Sequence, residues 1–351
     1  MTKHILPVFI PHAGCPHQCV FCDQKAITGQ KAPTGREVER ILKEGLPLGK
    51  NPQIAFYGGS FTAIPAALQE EYLEAAFPYV QSGQAQGVRV STRPDCITEE
   101  NLALLKKYGV QTIELGAQSM DDEVLRLSGR GHRSEDTIQA ARLVQEKGFE
   151  LILQLMVGLP GDSREKSLSS ARQVAALHPQ GVRLYPVCVL CHTPLYAMME
   201  RGEYTPLTLE EGVEWSADAL EVFQEKGIPV IRLGLNPSRE LEAQVAAGVY
   251  HPALGQLVQS RILRRRCEEV LRNAPPGPVT LYYRKGQRST LQGQKNENLR
   301  YFKEHYPDKI ITLEEAESLR SHIAVRSPDG VTLLDRERVG RYNKDRKGHY
   351  R

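Results

Sequence analysis

Short, nearly continuous apolar segments alternate with amphipathic segments along the first 235 residues of the chain. The amphipathic segments repeat apolar residues at helical spacing, as Leu102, Leu105 and Tyr108 do. The apolar segments are rich in Val, Ile and Leu, which is typical of parallel strands buried on both faces. They predict six strands, over residues 5–10, 53–57, 88–92, 112–115, 151–157 and 182–187. This alternation predicts an α/β fold, a partial (β/α)6 barrel of the TIM type with functional groups at the carboxyl ends of its strands.

The pattern changes after residue 235, and a proline- and glycine-rich segment at residues 274–278 predicts a linker. Residues 208–273 are mostly helical in pattern, with a candidate further strand at 229–233. Beyond the linker, the pattern predicts a strand over 279–284 and helices over 296–306 and 313–322. We therefore predict a core barrel over 1–235, a helical extension over 236–273, and a small basic α+β domain over 274–351.

Composition is that of an ordinary globular protein, with 40% hydrophobic and 25% charged residues in a chain of 351. No apolar run approaches the length of a membrane span, and the first residues lack the apolar stretch of a signal peptide. We therefore expect a cytoplasmic protein without a membrane partner. The 7 cysteines are an odd number, and in a cytosolic chain they favour metal binding or catalysis over a disulfide framework.

Charge is distributed unevenly, although the net charge is only +3. Residues 261–351 contain 21 Lys and Arg against 12 Asp and Glu, a net of +9, whereas residues 1–260 contain 24 against 30, a net of −6. A basic region of this kind indicates either a polyanionic partner or a solvated charged face. Tyr342 and Tyr350 lie among the basic residues 336–351. Because rings stack on bases and cations bind phosphates, RNA is a candidate partner.

Three of the cysteines, Cys15, Cys19 and Cys22, lie just after the first predicted strand. Three thiolates on one short loop can hold three corners of a cubane iron–sulfur cluster, which leaves one iron open to a further ligand. That iron could bind the amino and carboxylate groups of S-adenosylmethionine. A structural zinc site is the alternative, and its fourth ligand would come from His12 or His17.

The cysteine triplet, with aromatic Phe21 directly before its third cysteine, resembles the signature of the radical S-adenosylmethionine (radical SAM) enzymes. The resemblance implies a [4Fe–4S] cluster on Cys15, Cys19 and Cys22, with S-adenosylmethionine as the second cofactor. Reductive cleavage of S-adenosylmethionine would give a 5′-deoxyadenosyl radical that abstracts hydrogen from a substrate. A reduced flavodoxin- or ferredoxin-type protein is the electron donor that this chemistry implies.

Further motifs stand at the ends of predicted strands, where such a barrel would bind its cofactors. Gly58-Gly59-Ser60 follows the second strand, and its glycines let the backbone approach a ligand closely. By resemblance to the coproporphyrinogen dehydrogenase and Elongator catalytic-subunit branches, Arg130 would pair with the methionyl carboxylate. The candidate cofactor-binding residues are Phe21, Gly58, Gly59, Ser60, Ser91, Gln118, Arg130 and Gln154.

The motifs between Ser91 and Tyr196 are most similar to those of the Elongator catalytic subunit. The radical domain of that family modifies wobble uridine in tRNA, together with an acetyltransferase domain. Too few residues follow position 260 to hold that second domain, and no glycine-rich acetyl-coenzyme A loop is evident. We therefore expect an Elongator-like radical SAM enzyme without the acetyltransferase domain, with tRNA as its candidate substrate.

Two alternative functions fit the same residues. One is a non-catalytic iron–sulfur protein that binds RNA, and the other is a metabolite-directed radical SAM oxidase. A second C-x2-C pair, Cys188 and Cys191, follows the sixth predicted strand. It is either an auxiliary cluster or redox pair, or two small apolar residues near a strand end. The packing interpretation is favoured, because further ligands for a full cluster are not evident in the sequence.

Overall fold

The computed structural model describes residues 4–11, 15, 17–22, 32–46, 51–316, 323–334 and 339–342. The chain forms two compact units, one built from residues 1–212 and 228–252 and the other from 213–227 and 253–351. The boundaries predicted at residues 235 and 273 stay predictions. His12, a candidate zinc ligand, and most of the basic tail, residues 335–338 and 343–351, lie outside the described residues.

The first unit contains a seven-stranded parallel sheet whose order in space follows the order along the chain. Because each strand pairs in parallel with the next, the carboxyl ends of all seven strands meet at one edge. The sheet curls into the predicted half-barrel, and the candidate seventh strand is present. Its strands are β1 (Ile5–Phe9), β2 (Gln53–Tyr57), β3 (Gly87–Thr92), β4 (Val110–Gln118), β5 (Glu150–Val157), β6 (Gly181–Pro186) and β8 (Val230–Leu233). Two short strands, β7 (Cys188–Leu190) and β9 (Val245–Gly248), form a separate antiparallel pair.

Helices connect the strands and cover the sheet. Ile54, Ala55 and Phe56 of β2 are all fully buried, which explains why the strand is apolar at consecutive positions instead of alternating. Several helices begin at a capping side chain; Thr98 and Asn101, for example, each accept a hydrogen bond from the other's backbone amide. The helices of the first unit are α1 (Gly35–Gly45), α2 (Ala66–Gln81), α3 (Glu99–Lys107), α4 (Asp122–Leu127), α5 (Ser134–Glu146), α6 (Arg164–Ala176), α7 (Pro194–Glu200) and α9 (Arg239–Gln244). Helix α8 (Leu209–Glu225) belongs to the second unit from residue 213 onward.

The second unit contains a five-stranded mixed sheet together with helices. Its strands are β10 (Gly277–Tyr283), β11 (Lys309–Glu315), β12 (Ile323–Ser327), β13 (Gly330–Leu334) and β14 (Val339–Tyr342), in the spatial order β11-β10-β12-β13-β14. Its helices after residue 253 are α10 (Leu254–Asn273), α11 (Arg288–Gln292) and α12 (Glu297–His305). Cys267, Leu281, Phe302 and Val325 are fully buried in one core, so the C-terminal region has an α+β core as predicted.

The helix predicted over 313–322 is wrong for its first residues. Leu313, Glu314 and Glu315 belong to strand β11, which pairs in parallel with β10 over seven residues from Gly277 to Tyr283. The Leu-Glu-Glu-Ala sequence has a good local helix propensity, but pairing with β10 overrides it. Residues 317–322 lie outside the described part of the chain. Strands β12 to β14 were not predicted.

Candidate active site

One cavity of about 570 Å³ in the first unit brings the predicted site residues together. It is lined by residues from β1 to β6, by the loops after β1 and β2, and by Arg130. The cysteines come from the loop after β1, and the polar side chains from the ends of the following strands, as parallel topology requires. All eleven predicted site residues line this cavity, namely Cys15, Cys19, Phe21, Cys22, Gly58, Gly59, Ser60, Ser91, Gln118, Arg130 and Gln154.

None of the three cysteines of the triplet is part of a disulfide bond. A turn in which the Cys22 amide donates to the Cys19 carbonyl (3.1 Å) folds the loop, and Cys15 Sγ lies 3.6 Å from Ser60 Oγ. Within the described residues, no three Cys, His, Asp or Glu side chains are close enough together to hold a single metal ion. Three soft sulfur donors beside a cavity, one of them facing a guanidinium, nevertheless match the ligand chemistry of an iron–sulfur cluster.

Arg130 connects the cysteine loop to the sheet. Its Nη1 donates to Cys19 Sγ (3.2 Å) and its Nη2 to the Gly116 carbonyl (2.6 Å), so the side chain is held against a candidate cluster ligand. Arg93 donates to the Arg130 carbonyl and is itself paired with both oxygens of Asp95, at 2.9 Å each. Arg130 Nε is buried and has no hydrogen-bond partner among the described residues. A buried donor of this kind fits an anionic group such as a carboxylate.

The backbone of the Gly58-Gly59-Ser60 loop adopts a conformation that side chains disfavour. Gly58 has a φ of +103°, and a Cβ there would lie 3.5 Å from the backbone of Ile10. The Ile10 amide also donates to the Tyr57 carbonyl (2.7 Å), which ties the start of this loop to the end of β1. The loop therefore runs close beside the segment that leads into the cysteines, with its backbone accessible to a ligand.

Two side-chain amides face each other, one at the end of β4 and the other within β5. Gln154 Nε2 donates to Gln118 Oε1 (3.2 Å), and Gln118 has a φ of +66°, an uncommon conformation for a residue other than glycine. The irregular pairing of β4 with β5 between Leu115 and Gln118 accompanies this backbone geometry. Strained backbone at a strand end beside a cavity is typical of a functional position.

A charged network on the strands was missed by the sequence analysis. Glu114 Oε1 receives hydrogen bonds from Arg89 Nη1 (2.6 Å), Tyr57 Oη (3.0 Å) and Arg183 Nη2 (3.0 Å). Arg183 Nη2 also donates to Tyr57 Oη (2.8 Å), and Arg183 Nε lies 2.8 Å from Glu114 Oε2. The sequence signal was present, because Arg89, Glu114 and Arg183 each interrupt an otherwise apolar strand. We call the part of this network that lines the cavity, Tyr57, Glu114 and Arg183 together with Tyr185, the cavity floor.

Burial and the neighbouring charges fix the protonation of groups near the cavity. Burial, together with the Glu114 carboxylate, raises the pKa of Tyr57 above its ordinary value, so the phenol keeps its proton as a donor to Glu114. Burial also lowers the pKa of His132 to about 4, and the charge of Arg130 acts in the same direction. His132 is therefore neutral at pH 7, and its Nε2 donates to the Ala117 carbonyl (3.2 Å).

We expect His132 to make the protein less stable in mild acid. In the unfolded chain this histidine gains a proton as the pH falls below its ordinary pKa of 6.5, whereas in the folded chain it stays neutral until about pH 4. The unfolded state then binds more protons, so His132 alone lowers the free energy of unfolding by about 2 kcal/mol between pH 7 and pH 5. Urea unfolding of the wild type and His132→Gln at both pH values measures this effect. An equal pH dependence in the two proteins would contradict it.

Of the remaining cysteines, Cys188 and Cys267 lie in apolar surroundings. Cys188 packs with Leu190 and Leu241, and burial raises the pKa of its thiol to about 12. The Cys191 amide donates to the Gln244 carbonyl (2.8 Å), which extends the pairing of β7 and β9. Cys188 also lines the cavity. These surroundings agree with the packing interpretation of the pair.

The comparisons with known proteins agree with this geometry. The Radical SAM superfamily model matches residues 9–173, and the Radical_SAM C-terminal domain model matches residues 179–264. The chain is 30% identical over 223 residues to an uncharacterized protein of Methanocaldococcus jannaschii, an alignment that covers 59% of this chain and 68% of that protein. The chain belongs to the Radical SAM superfamily and is an enzyme, with a [4Fe–4S] cluster and S-adenosylmethionine as the cofactors that the superfamily uses.

One further relative and one solved structure are also similar to the chain. The chain is 28% identical over 332 residues to the tRNA uridine(34) acetyltransferase of Methanocaldococcus infernus, covering 80% of this chain and 60% of that protein. The solved structure of archaeal Methanocaldococcus infernus Elp3 with an N-terminal deletion shares the fold, with a TM-score of 0.58 and 24% identity. That match covers 76% of this chain and 64% of the other. The chain thus spans about three fifths of the length of these relatives.

Among the residues that the structure describes, no helix combines the length and the apolar character needed to cross a membrane.

Proposed function

We propose that Cys15, Cys19 and Cys22 hold the [4Fe–4S] cluster and that the enzyme cleaves S-adenosylmethionine reductively within the cavity. The observation that carries this proposal is that three cysteine side chains, a close-approach glycine loop and a buried arginine line one cavity. When bound, the two cofactors supply an electron and a 5′-deoxyadenosyl radical that abstracts hydrogen. The residues of the chain bind and orient these groups and exclude water and oxygen from them.

Arg130 has two parts in this proposal. Its Nη1, which already donates to Cys19 Sγ, would stabilise the negative charge of a cluster-bound thiolate. Its Nε, which has no partner among the described residues, is the donor for the methionyl carboxylate. Because Gly116 holds the side chain of Arg130 and Arg93 holds its backbone, Arg130 would bind without losing much conformational freedom.

The other predicted residues would complete the cofactor site. The exposed backbone of Gly58 and Gly59 and the hydroxyl of Ser60 would bind the methionyl amino group. The amides of Gln118 and Gln154 bond to each other and would exchange that bond for contacts to the ribose or methionine. Ser91, at the end of β3, would donate a hydrogen bond from its hydroxyl to S-adenosylmethionine. The ring of Phe21 would cover the iron–sulfur cluster.

We propose tRNA as the substrate, with a uridine as the modified base. Support comes from the relatives named tRNA uridine(34) acetyltransferase and from the basic composition of residues 261–351. Part of that positive charge is neutralised within the second unit, where Arg261 and Arg265 of α10 pair with Glu214 of α8. RNA binding would therefore depend on the other cations of this region.

Enzymes of the superfamily require an electron donor. We propose a reduced flavodoxin- or ferredoxin-type protein in this role, since both deliver single electrons at low potential. A tRNA substrate and such a donor would place the reaction in the cytoplasm.

RNA should accelerate the formation of 5′-deoxyadenosine, because substrate binding in the cavity excludes water and presents a hydrogen for abstraction. The measurement uses protein reconstituted without air, dithionite and S-adenosylmethionine, with and without a transcribed tRNA that has uridine at position 34. We expect at least about a tenfold increase, which should weaken as salt is added. No increase at low salt would overturn the RNA proposal and leave the cleavage of S-adenosylmethionine standing.

A further inference from the structure

The cavity floor has no part in the proposed binding of the cofactors. Its members lie on strands: Tyr57 ends β2, Glu114 lies in the middle of β4, and Arg183 and Tyr185 lie on β6. The proposed cluster ligands instead lie on the loop after β1. A set of polar side chains within the sheet is therefore left for another ligand of the same cavity.

Two acceptor atoms of the cavity floor, Glu114 Oε1 and Tyr57 Oη, already accept hydrogen bonds from the network. Glu114 Oε1 receives three hydrogen bonds, and Glu114 Oε2 lies 2.8 Å from Arg183 Nε. Tyr57 Oη donates to Glu114 and accepts from Arg183. A ligand that approaches this floor therefore finds donors in place of unoccupied acceptors.

The network as a whole, which includes Arg89 in addition to the cavity floor, carries more positive than negative charge. The guanidinium groups of Arg89 and Arg183 share the single carboxylate of Glu114, and the side chains of Arg89 and Glu114 are only 5% and 4% exposed. Arg183 is the more accessible cation, with 15% of its side chain exposed. Such an excess of positive charge favours a ligand atom that carries negative or partial negative charge.

Two hydrogen-bond donors, Arg183 Nη1 and the Tyr185 hydroxyl, lie close together in the cavity floor. Arg183 Nη1 is 3.4 Å from Tyr185 Oη, a longer contact than the 2.6–3.0 Å bonds within the network. Arg183 Nη2 donates to both Tyr57 and Glu114, so Nη1 is oriented before a ligand arrives. One acceptor oxygen can receive hydrogen bonds from both Nη1 and the tyrosine hydroxyl.

We propose that Arg183 and Tyr185 anchor the substrate of the radical reaction by one of its carbonyl oxygens, with Glu114 and Tyr57 positioning Arg183. The inference rests on the proposed RNA substrate, and there the group is a carbonyl of the modified pyrimidine. A guanidinium group donates hydrogen bonds but cannot accept them. It can therefore bond to O4 of uracil, which is an acceptor, but not to the N4 amino group of cytosine, which is a donor. The pair would therefore set the preference for uridine, because a buried donor left unpaired is costly.

The test compares two anticodon stem-loop RNAs that differ only in uridine or cytidine at position 34. Reconstituted wild type, Arg183→Met, Arg183→Lys and Tyr185→Phe are assayed for the kcat and KM of RNA-dependent 5′-deoxyadenosine formation. Arg201→Met is the matched control, because Arg201 is exposed and paired with Glu203 outside the cavity. Iron content and the unfolding midpoint of each variant show whether it has folded and loaded.

We expect the wild type and Arg201→Met to prefer the uridine RNA by at least about 100-fold in kcat/KM. Arg183→Met should lose that preference, Arg183→Lys should recover part of it, and Tyr185→Phe should lose about tenfold on the uridine RNA. If Arg183→Met does not load iron, Tyr185→Phe and Arg183→Lys decide the question. An unchanged preference in the loaded variants would overturn the inference alone. If neither RNA increases the formation of 5′-deoxyadenosine by the wild type, the proposed RNA substrate is wrong. The assignment of Arg183 and Tyr185 as its anchor is then wrong as well.

Discussion

Replacing Cys19 with alanine is expected to reduce the iron and sulfide of the reconstituted protein from about four per chain to almost none. The same change should abolish the formation of 5′-deoxyadenosine, because a cluster with two protein ligands is poorly held. Cys19 is the buried member of the triplet and receives the hydrogen bond from Arg130. Iron and sulfide analysis with the absorption spectrum measures the effect.

Cys267→Ala is the matched control for this experiment. Cys267 lies in the core of the second unit, where burial raises the pKa of its thiol to about 12. A thiol in such surroundings is a poor metal ligand, so the control should keep the iron content of the wild type. A Cys19→Ala protein that retains four irons and its activity would show that the triplet does not hold the cluster.

Replacing Glu114 with glutamine is expected to lower the free energy of unfolding by about 3–5 kcal/mol. The carboxylate neutralises Arg89 and Arg183, which lie within the sheet and are mostly removed from water. Glutamine keeps the shape of the side chain but leaves two guanidinium groups without a counterion. Urea unfolding followed by circular dichroism measures the loss.

The exposed pair of Glu123 and Arg126 provides the control for this second prediction. Glu123→Gln breaks an ion pair at 2.8 Å, in which both side chains are more than half exposed. Water and salt screen such a pair, so the unfolding midpoint should stay that of the wild type. Equal shifts for Glu114→Gln and Glu123→Gln would show that the network on the strands contributes no special stability.

The strands of the barrel and the residues of the site could be predicted from the sequence for a physical reason. A parallel strand buried on both faces must be apolar at consecutive positions, as Ile54, Ala55 and Phe56 are, so it is visible without knowledge of its neighbours. Parallel topology then places the ends of all strands at one edge. Cys15 and Gln154 are 139 positions apart in the sequence, yet both line the cavity for this reason.

Features that depend on pairing between distant segments could not be predicted in this way. Leu313 lies in a strand because β10 provides its partner Leu281, and nothing in the local sequence specifies that register. The short strand at Cys188 likewise exists only through its pairing with Gly248. Glu114 was visible as part of a motif, but its role depends on two arginines from other strands.

The measurement that tests the central claim most directly is the yield of 5′-deoxyadenosine from reconstituted wild-type protein, supplied with S-adenosylmethionine and dithionite in the absence of air. The account predicts that 5′-deoxyadenosine and methionine appear in equal amounts, and that neither forms without reductant. A protein that carries a full complement of four irons, binds S-adenosylmethionine and still forms neither product, with or without tRNA, would contradict the account.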